Sequence, residues 1–401
     1  MKSYREALDI ILNTFKPKRE CIHIPLEEAL YFTLAEDIVS DIDSPPFDNS
    51  AMDGIAILYE KGQKEWQIAG NITAGNYAQM DLNSSYAAGI TTGSKIPEKA
   101  DTIIPLESLN ISQGKAVLKE GIEIHKGDHI RSKGSDFSKG KILLHKGTRI
   151  ATNMMHLLAA CGKKRVAVYK PLKIGLLLTG DELVDIDSIP ERDQIRATNH
   201  YSTFSQIKSM NMQAISFGIA KDNYEELKKN LKQALDSDID ALIACGGASV
   251  GEKDFMQDAL KEMGAEILFG KANIKPGKPI IYAIYRKINK EISIFGLPGN
   301  PLSSFVNFEI FIKPAIALMY GIKLSAIKAY LKRPFQKKDN KRYFALGELS
   351  YDSQGNRWEV GFSQSLSSGS MFPLSQANCL AVIPENINSL NQEDLVECMP
   401  I

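Results

Sequence analysis

Between residues 172 and 320, short apolar runs alternate with longer amphipathic stretches. The apolar runs predict strands at Lys173–Leu178, Gln213–Gly218, Ala241–Ala244, Pro279–Ile284 and Ile292–Phe295. The amphipathic stretches predict helices at Asn199–Met210, Tyr224–Leu235, Phe255–Met263 and Leu302–Met319. Strands and helices that alternate in this way form a mostly parallel sheet, which binds ligands beyond the carboxyl ends of its strands.

The flanking segments have other patterns. Apolar residues between Tyr4 and Phe15 recur at helical spacing and predict an amphipathic N-terminal helix. Residues 45–171 contain short β-prone pieces broken by Gly, Asn, Ser and Asp, which predict hairpins, and a helix is expected to end at Gly162. Short strands are predicted again after residue 342.

These patterns predict a multidomain α/β plus β protein. A doubly wound, mostly parallel α/β domain is expected at residues 172–322. An N-terminal, helix-containing domain is expected to comprise residues 1–44 and 139–171, with a β-rich domain inserted at residues 45–138. A C-terminal β domain is expected at residues 323–401.

Composition and charge exclude several classes of protein. The 401 residues carry 48 Lys+Arg and 48 Asp+Glu, so the net charge gives no general attraction to nucleic acid or to an anionic membrane. No segment approaches the roughly 20 consecutive apolar residues that span a bilayer. We therefore expect a cytoplasmic protein with no nucleic-acid and no membrane partner. The five cysteines are widely spaced and suggest neither a disulfide framework nor a zinc site.

Residues able to bind anions and cations follow the predicted strands. The segment LTGDEL contains Glu182, and AKDN contains Asp222. The segment GGASVGEKDF is a glycine-rich turn before a helix that begins near Asp254, a combination that suits phosphate or another oxyanion. Lysines bracket the turn in KANIKPGKP, and two prolines stiffen GLPGNP.

Such a rim of carboxylates and lysines is explained by a bound ligand or counter-ion, because isolated buried charges are costly. Carboxylate oxygens suit Mg²⁺, and lysines suit phosphates. Neither a G-x-G-x-x-G nor a P-loop motif is present. Two plainer interpretations stay open: the Gly-Gly pair as an ordinary tight turn, and Asp254 as a helix N-cap.

Seven motifs together resemble one family. They are SPPFDNSAMDGIA (44–56), TTGSKIPEKADTIIPLE (91–107), IRSKGSD (130–136), LTGDEL (178–183), GGASVGEKDF (246–255), KANIKPGKP (271–279) and GLPGNP (296–301). In this order they resemble the molybdopterin molybdenumtransferases, also called molybdenum insertases or MoeA, which are related to the E domain of gephyrin. The resemblance covers essentially the whole chain.

The resemblance implies molybdenum cofactor biosynthesis: molybdate is inserted into adenylylated molybdopterin with Mg²⁺, and AMP is released. It also implies a homodimer of four-domain subunits with the active site between subunits. The residues that match the family's catalytic positions are Asp53, Thr92, Asp136 and Glu182. The expected substrate-binding residues are Asp222, Gly246, Gly247, Ser249, Gly251, Asp254, Lys271, Lys275, Pro298 and Pro301. The expected Mg²⁺ ligands are Glu182, Asp222 and Asp254.

In the resulting hypothesis, Lys271 and Lys275 bind the oxygens of molybdate and phosphate. Asp53 and Asp136 position the attacking water or oxyanion. Which carboxylate is the base is left open. So are three alternatives: a molybdopterin adenylyltransferase, a scaffold protein, and insertion of tungstate instead of molybdate. An adenylyltransferase that delivers the substrate is a further candidate partner. The SLSSGS stretch (365–370) is either a loop that closes over substrate or only a mobile loop.

Overall fold

The computed structural model describes residues 1–76, 78–80, 82–246, 255–288, 290–363, 369 and 371–401. The chain divides into two compact units. The larger unit comprises Met1–Ala35, Gly147–Ala151 and Val166–Ile401, and the smaller comprises Glu36–Lys146 and Thr152–Arg165. The predicted SLSSGS loop lies outside the described residues except for Gly369.

A mixed sheet forms the centre of the larger unit. Within the described ranges its strands lie in the order Gln213–Ala220, Lys173–Thr179, Ala241–Cys245, Lys290–Leu297, Pro279–Lys287 and Glu266–Lys271. The first four strands are parallel, and the last two are antiparallel to their neighbours. The predicted α/β class is confirmed. Pro279–Lys287 runs antiparallel to Lys290–Leu297 because the connection between these two strands is too short for a crossover helix.

Helices cover this sheet. They span Tyr4–Thr14, Thr198–Ser209, Tyr224–Asp236, Phe255–Glu262, Pro301–Asn307 and Lys313–Tyr320, and the last two are joined by a π-helical turn at Phe308–Ile312. The N-terminal helix begins with a capping box between Ser3 and Glu6. The long helix ends at Gly321, whose φ is +61° and where a Cβ atom would lie 2.0 Å from the Gly147 carbonyl oxygen.

The long helix is more apolar than the sequence analysis predicted. By length and composition Pro301–Tyr320 could cross a membrane, but 72% of its apolar window is buried inside the protein. Val306, Phe308 and Phe311 pack against the central sheet, so it is the core helix of the larger unit.

A β-barrel follows at the C-terminal end of the larger unit. In the part of the chain that the structure describes, its strands are Ile327–Leu331, Arg342–Asp352, Arg357–Phe362, Cys379–Ile383 and Leu395–Pro400. Arg342–Asp352 pairs with both Arg357–Phe362 and Cys379–Ile383, which closes the ring. The two-residue strand Ile274–Lys275 of the α/β region pairs with the first residues of Arg342–Asp352.

Shorter elements complete the description. They are the helix Phe372–Gln376 and the strand pairs Phe335–Gln336 with Ser389–Leu390, Leu183–Val184 with Ile195–Arg196, and Cys21–Pro25 with Arg165–Tyr169.

The smaller unit is β-rich, as predicted. Its main sheet has the order Thr102–Pro105, Gly54–Ile57, Tyr86–Ile90, Glu65–Ile72, Lys115–Leu118 and Leu109–Ser112 among the described residues. Asn49–Ser50 pairs with Ile130–Arg131, and Ile38–Val39 pairs with Ile142–Leu144. The helix Met155–Ala160 is followed by Gly162 at φ +66°.

Candidate functional site

The strands of the central sheet end together at one edge. Thr179 pairs with Ala220, and Cys245 pairs with Leu297. Lys271 is the last residue of the edge strand Glu266–Lys271 and pairs with Pro279. The outermost strand Glu266–Lys271 runs in the same direction as the four parallel strands and also finishes here. The KANIKPGKP segment therefore begins at the same edge as the LTGDEL and GLPGNP segments.

Gly246 continues this edge beyond the strand Ala241–Cys245. Its N–H donates to the carbonyl of Leu297 at 3.0 Å, and its φ is +101°. A Cβ atom here would lie 2.2 Å from the backbone oxygen of Thr179 and 2.6 Å from its Oγ1. Glycine is therefore required both by the backbone conformation and by the close approach of the neighbouring strand.

The LTGDEL segment brings acidic residues together. The N–H of Gly180 donates to the Ala220 carbonyl at 3.1 Å, and the Asp181 carboxylate accepts the N–H of Asp222 at 3.1 Å. The carboxylate of Glu182 folds back over Gly180, since a Cβ there would lie 2.6 Å from Glu182 Oε2. Glu182 and Asp222 are both exposed, and Asp181 connects their two loops.

A small cleft of ≈ 40 Å³ lies beside Glu182 and Pro301. Asn199 lines it and donates from Nδ2 to the Gly299 carbonyl at 2.7 Å, which links the helix Thr198–Ser209 to the GLPGNP turn. Asn199 Oδ1 and Thr179 Oγ1 are buried and have no hydrogen-bond partner among the described residues. The cleft therefore contains polar atoms that a bound group could satisfy.

The two lysines predicted to bind anions, Lys271 and Lys275, are separated by residues 272–274. The carbonyl of Lys271 accepts the N–H of Lys2 at 3.1 Å. Lys275 donates from Nζ to the Tyr343 hydroxyl at 3.0 Å, and that hydrogen bond, working against desolvation, raises the pKa of Lys275. Its ammonium is therefore charged at neutral pH. The following turn is held by Asn307, whose Nδ2 donates to the Gly277 carbonyl at 3.1 Å.

The smaller unit holds Asp53 and Thr92 together. Oδ1 of Asp53 accepts the backbone N–H of Thr92 at 2.7 Å and the Thr92 hydroxyl at 3.0 Å. These two bonds, with the backbone bond first, lower the pKa of Asp53. The carboxylate is exposed, ionised and fixed in orientation. Asp136 is also exposed, and its N–H donates to the Ser44 carbonyl, but within the described residues no hydrogen bond joins it to Asp53 or Thr92.

Four predicted site residues, Gly247, Ser249, Gly251 and Asp254, lie outside the described residues. Pro298 is buried, and Pro301 is the first residue of the long helix. No cluster of three or more His, Cys, Asp or Glu side chains able to hold a metal occurs in the described ranges. Of the three carboxylates expected to bind Mg²⁺, the described residues include Glu182 and Asp222.

Sequence reasoning missed several residues that hold the site. Asp181, in LTGDEL, accepts the N–H of Asp222. Asn199 holds the GLPGNP turn, and Tyr343 holds Lys275. Asp181 stands inside the recognised LTGDEL motif, so proximity in sequence was an available signal for it, whereas Asn199 was only the first residue of a predicted helix. Tyr343 gave none, because it is distant along the chain and its segment only predicts a strand.

Comparison with known proteins gives one consistent result along the chain. Family models match residues 2–162 (MoeA N-terminal region, domain I and II), 175–318 (probable molybdopterin binding domain) and 328–401 (MoeA C-terminal region, domain IV). A molybdopterin molybdenumtransferase of Haemophilus influenzae is 34% identical over 394 residues, covering 94% of this chain and 93% of the relative. A Bacillus subtilis molybdopterin molybdenumtransferase is 32% identical over 311 residues, covering 75% of this chain and 71% of that one.

A solved structure agrees. The molybdopterin biosynthesis MoeA protein of Pyrococcus horikoshii OT3 superposes with a TM-score of 0.85 at 27% identity, covering all of both chains.

Proposed function

Because the chain belongs to the molybdopterin molybdenumtransferase family, we propose that it inserts molybdate into adenylylated molybdopterin and releases AMP. Family membership makes it a transferase of molybdenum cofactor biosynthesis that acts by molybdenum insertion. The adenylylated form of the substrate, the release of AMP, Mg²⁺ and the roles of individual residues belong to the proposal.

The observation that carries the proposal is the edge of the central sheet. The carboxylates of Glu182 and Asp222 follow strands that end there, Lys271 is the last residue of a strand that ends there, and Lys275 lies four residues further along the chain. The reactants are anions: a pyrophosphate-linked nucleotide and a molybdate dianion repel each other in a cleft of low dielectric. Cationic side chains must therefore gather them.

Each group has a distinct role in this mechanism. Lys271 and Lys275 bind the oxygens of molybdate and phosphate. Asp53, held by Thr92, and Asp136 orient the water or oxyanion that cleaves the phosphoanhydride. The backbone N–H groups of the segment 246–251, with Gly246, Gly247, Ser249 and Gly251, bind a phosphate. Pro298 and Pro301 stiffen the neighbouring turn around the substrate.

Mg²⁺ is the proposed cofactor, held by Glu182, Asp222 and Asp254. When bound it would neutralise charge on the pyrophosphate. We further propose a homodimer with the active site formed between subunits, a cytoplasmic location, the four-domain division predicted from the sequence, and delivery of the substrate by a molybdopterin adenylyltransferase. Tungstate is the competing oxyanion, since its size and charge are nearly those of molybdate.

The test is to mix the purified protein with adenylylated molybdopterin and Mg²⁺, titrate molybdate, and measure AMP release and cofactor formation together. We expect AMP in a molybdate-dependent amount that matches the cofactor formed. Absence of AMP, with pyrophosphate formed instead from ATP and free molybdopterin, would assign the chain to the adenylyltransferases. A parallel titration with tungstate measures the preference between the oxyanions.

A further inference from the structure

The C-terminal barrel directly holds Lys275, one of the residues predicted to bind an anion. Ile274–Lys275 forms a parallel ladder with Arg342 and Tyr343, the first residues of a barrel strand. The N–H of Arg342 donates to the Asn273 carbonyl at 3.1 Å. The backbone of Lys275 is therefore fixed by the barrel rather than by the central sheet.

The side chain of Lys275 is fixed by the same strand. Its Nζ lies 3.0 Å from the hydroxyl oxygen of Tyr343 and 4.9 Å from the centre of the ring. Tyr343 is 2% exposed, so it has little freedom to move. Its hydroxyl also accepts the N–H of Lys338 at 3.4 Å, and the ammonium of Lys337 lies 5.5 Å from the ring centre. Two cations beside one ring, together with burial, define where the phenol lies.

Lys275 nevertheless keeps capacity for a ligand. Its side chain is 36% exposed, and an ammonium has three N–H donors, of which Tyr343 takes one. Within the part of the chain that the structure describes, Lys275 forms an ion pair with Asp339, whose Oδ2 lies 3.8 Å from Lys275 Nζ and beyond hydrogen-bond distance. Asp339 instead accepts from Lys341 at 2.6 Å. An incoming oxyanion can therefore bind Lys275 without breaking the bond to Tyr343.

We propose that the barrel completes the oxyanion site: Tyr343 is a positioning residue that aims the Lys275 ammonium, and Asp339 is the counter-ion that partly neutralises it until molybdate binds. This inference rests on the proposed function, in which Lys275 binds molybdate. A lysine has a long flexible chain, and confining it before binding removes an entropic cost that would otherwise weaken anion binding.

The central experiment compares Tyr343→Phe with Lys275→Ala in the molybdate titration, with the full-length protein, adenylylated molybdopterin and Mg²⁺. Phenylalanine keeps the ring and removes only the hydroxyl. We expect the KM for molybdate to rise about tenfold while kcat stays within about twofold, since a hydrogen bond to a charged group is lost and the chemistry is not. Lys275→Ala should raise the KM further.

Two controls separate positioning from a structural role. Tyr351 lies on the same barrel strand as Tyr343, and its hydroxyl contacts Asn356 instead of a lysine. The molybdate titration of the Tyr351→Phe variant should therefore match that of the unmodified protein. Tyr343→Phe added to Lys275→Ala should change the KM no further, because a residue that acts through Lys275 has no effect without it. An additional loss in the double variant would contradict the positioning role.

Asp339→Asn gives an independent test with the opposite sign. Removing this negative charge should lower the KM for molybdate, since the ammonium is then less neutralised. The Asp339→Asn variant also tests the inference if Tyr343→Phe fails to fold. An unchanged or raised KM for molybdate in Asp339→Asn would overturn the inference. If Lys275→Ala itself leaves the titration unchanged, the proposed role of Lys275 fails and this inference fails with it. If only Tyr343→Phe leaves it unchanged, positioning alone is wrong.

Discussion

The Asp53 carboxylate accepts two hydrogen bonds from a single residue, one from the backbone N–H of Thr92 and one from its hydroxyl. Both bonds end on the same oxygen, Oδ1, so the second carboxylate oxygen keeps its capacity to accept. Because Thr92 begins the turn after the strand Tyr86–Ile90 and Asp53 precedes the strand Gly54–Ile57, the sheet of the smaller unit sets this geometry. The pair is therefore built into the fold and does not depend on a bound ligand.

Thr92→Val tests this pair through the pKa of Asp53. The hydrogen bonds lower that pKa, so the ionised carboxylate persists to lower pH, and any stability it gives is lost as pH falls through the lowered pKa. The variant keeps the shorter backbone bond, so the pKa of Asp53 should rise only part of the way to the ordinary value of an aspartate. Carbon NMR titration of the labelled carboxyl measures this. Asp43, whose pKa is lowered mainly by the Lys139 N–H, is an internal control that should not shift.

Glu182→Gln and Asp53→Asn each test the catalytic assignments. Both side chains are exposed, so these isosteric changes should leave the melting temperature within about 2 °C while AMP release falls at least about a hundredfold. Asp187→Asn, an exposed acid on the loop that follows Glu182, should keep full turnover. Normal turnover in either test variant would remove that residue from the catalytic group.

Local patterns were sufficient to predict the elements of the α/β region, and the reason is physical. Helix Tyr224–Asp236 has one apolar face and an Asn223 N-cap, both of which are encoded within a few residues. The antiparallel pairing of the outermost strand was not predictable in this way. Strand Glu266–Lys271 is short and only partly buried, and its direction is fixed by pairing with Pro279–Lys287.

The site residues also divide into features that the local sequence predicts and contacts that only the folded chain creates. Motifs placed Glu182, Asp222 and Lys275 at strand ends because the end of a strand is a local feature of the sequence. The contacts that orient them join distant segments: Tyr343 is 68 residues from Lys275, and Asp181 is 41 residues from Asp222. No periodicity encodes such pairs, since they arise only when the barrel and the sheet have folded.

Gly246→Ala tests the close packing of the sheet edge. The new Cβ atom would lie 2.2 Å from the Thr179 carbonyl oxygen at a φ of +101°, so strand and turn must separate. We expect a loss of about 2–4 kcal/mol in the free energy of unfolding, measured by chemical denaturation. Gly218→Ala is the matched control, because its φ is also positive (+77°) but its Cβ would meet nothing within 4 Å. It should cost only about 1–2 kcal/mol. Equal losses would show that the contact with Thr179 is unimportant.

Thr179→Val tests whether the cleft beside Glu182 contains an unsatisfied hydroxyl. Thr179 Oγ1 is buried and has no hydrogen-bond partner in the described part of the chain, so replacing it by a methyl group of similar size should raise the melting temperature or leave it unchanged. Thr33→Val is the matched control: its buried hydroxyl donates to the Tyr320 carbonyl at 2.6 Å, and its loss should cost about 1–3 kcal/mol. Equal destabilisation of both variants would mean that Thr179 has a partner in the free protein. If a bound substrate satisfies the Thr179 hydroxyl, the same variant should raise the KM for adenylylated molybdopterin while stability is retained, because the hydroxyl then acts only in the complex.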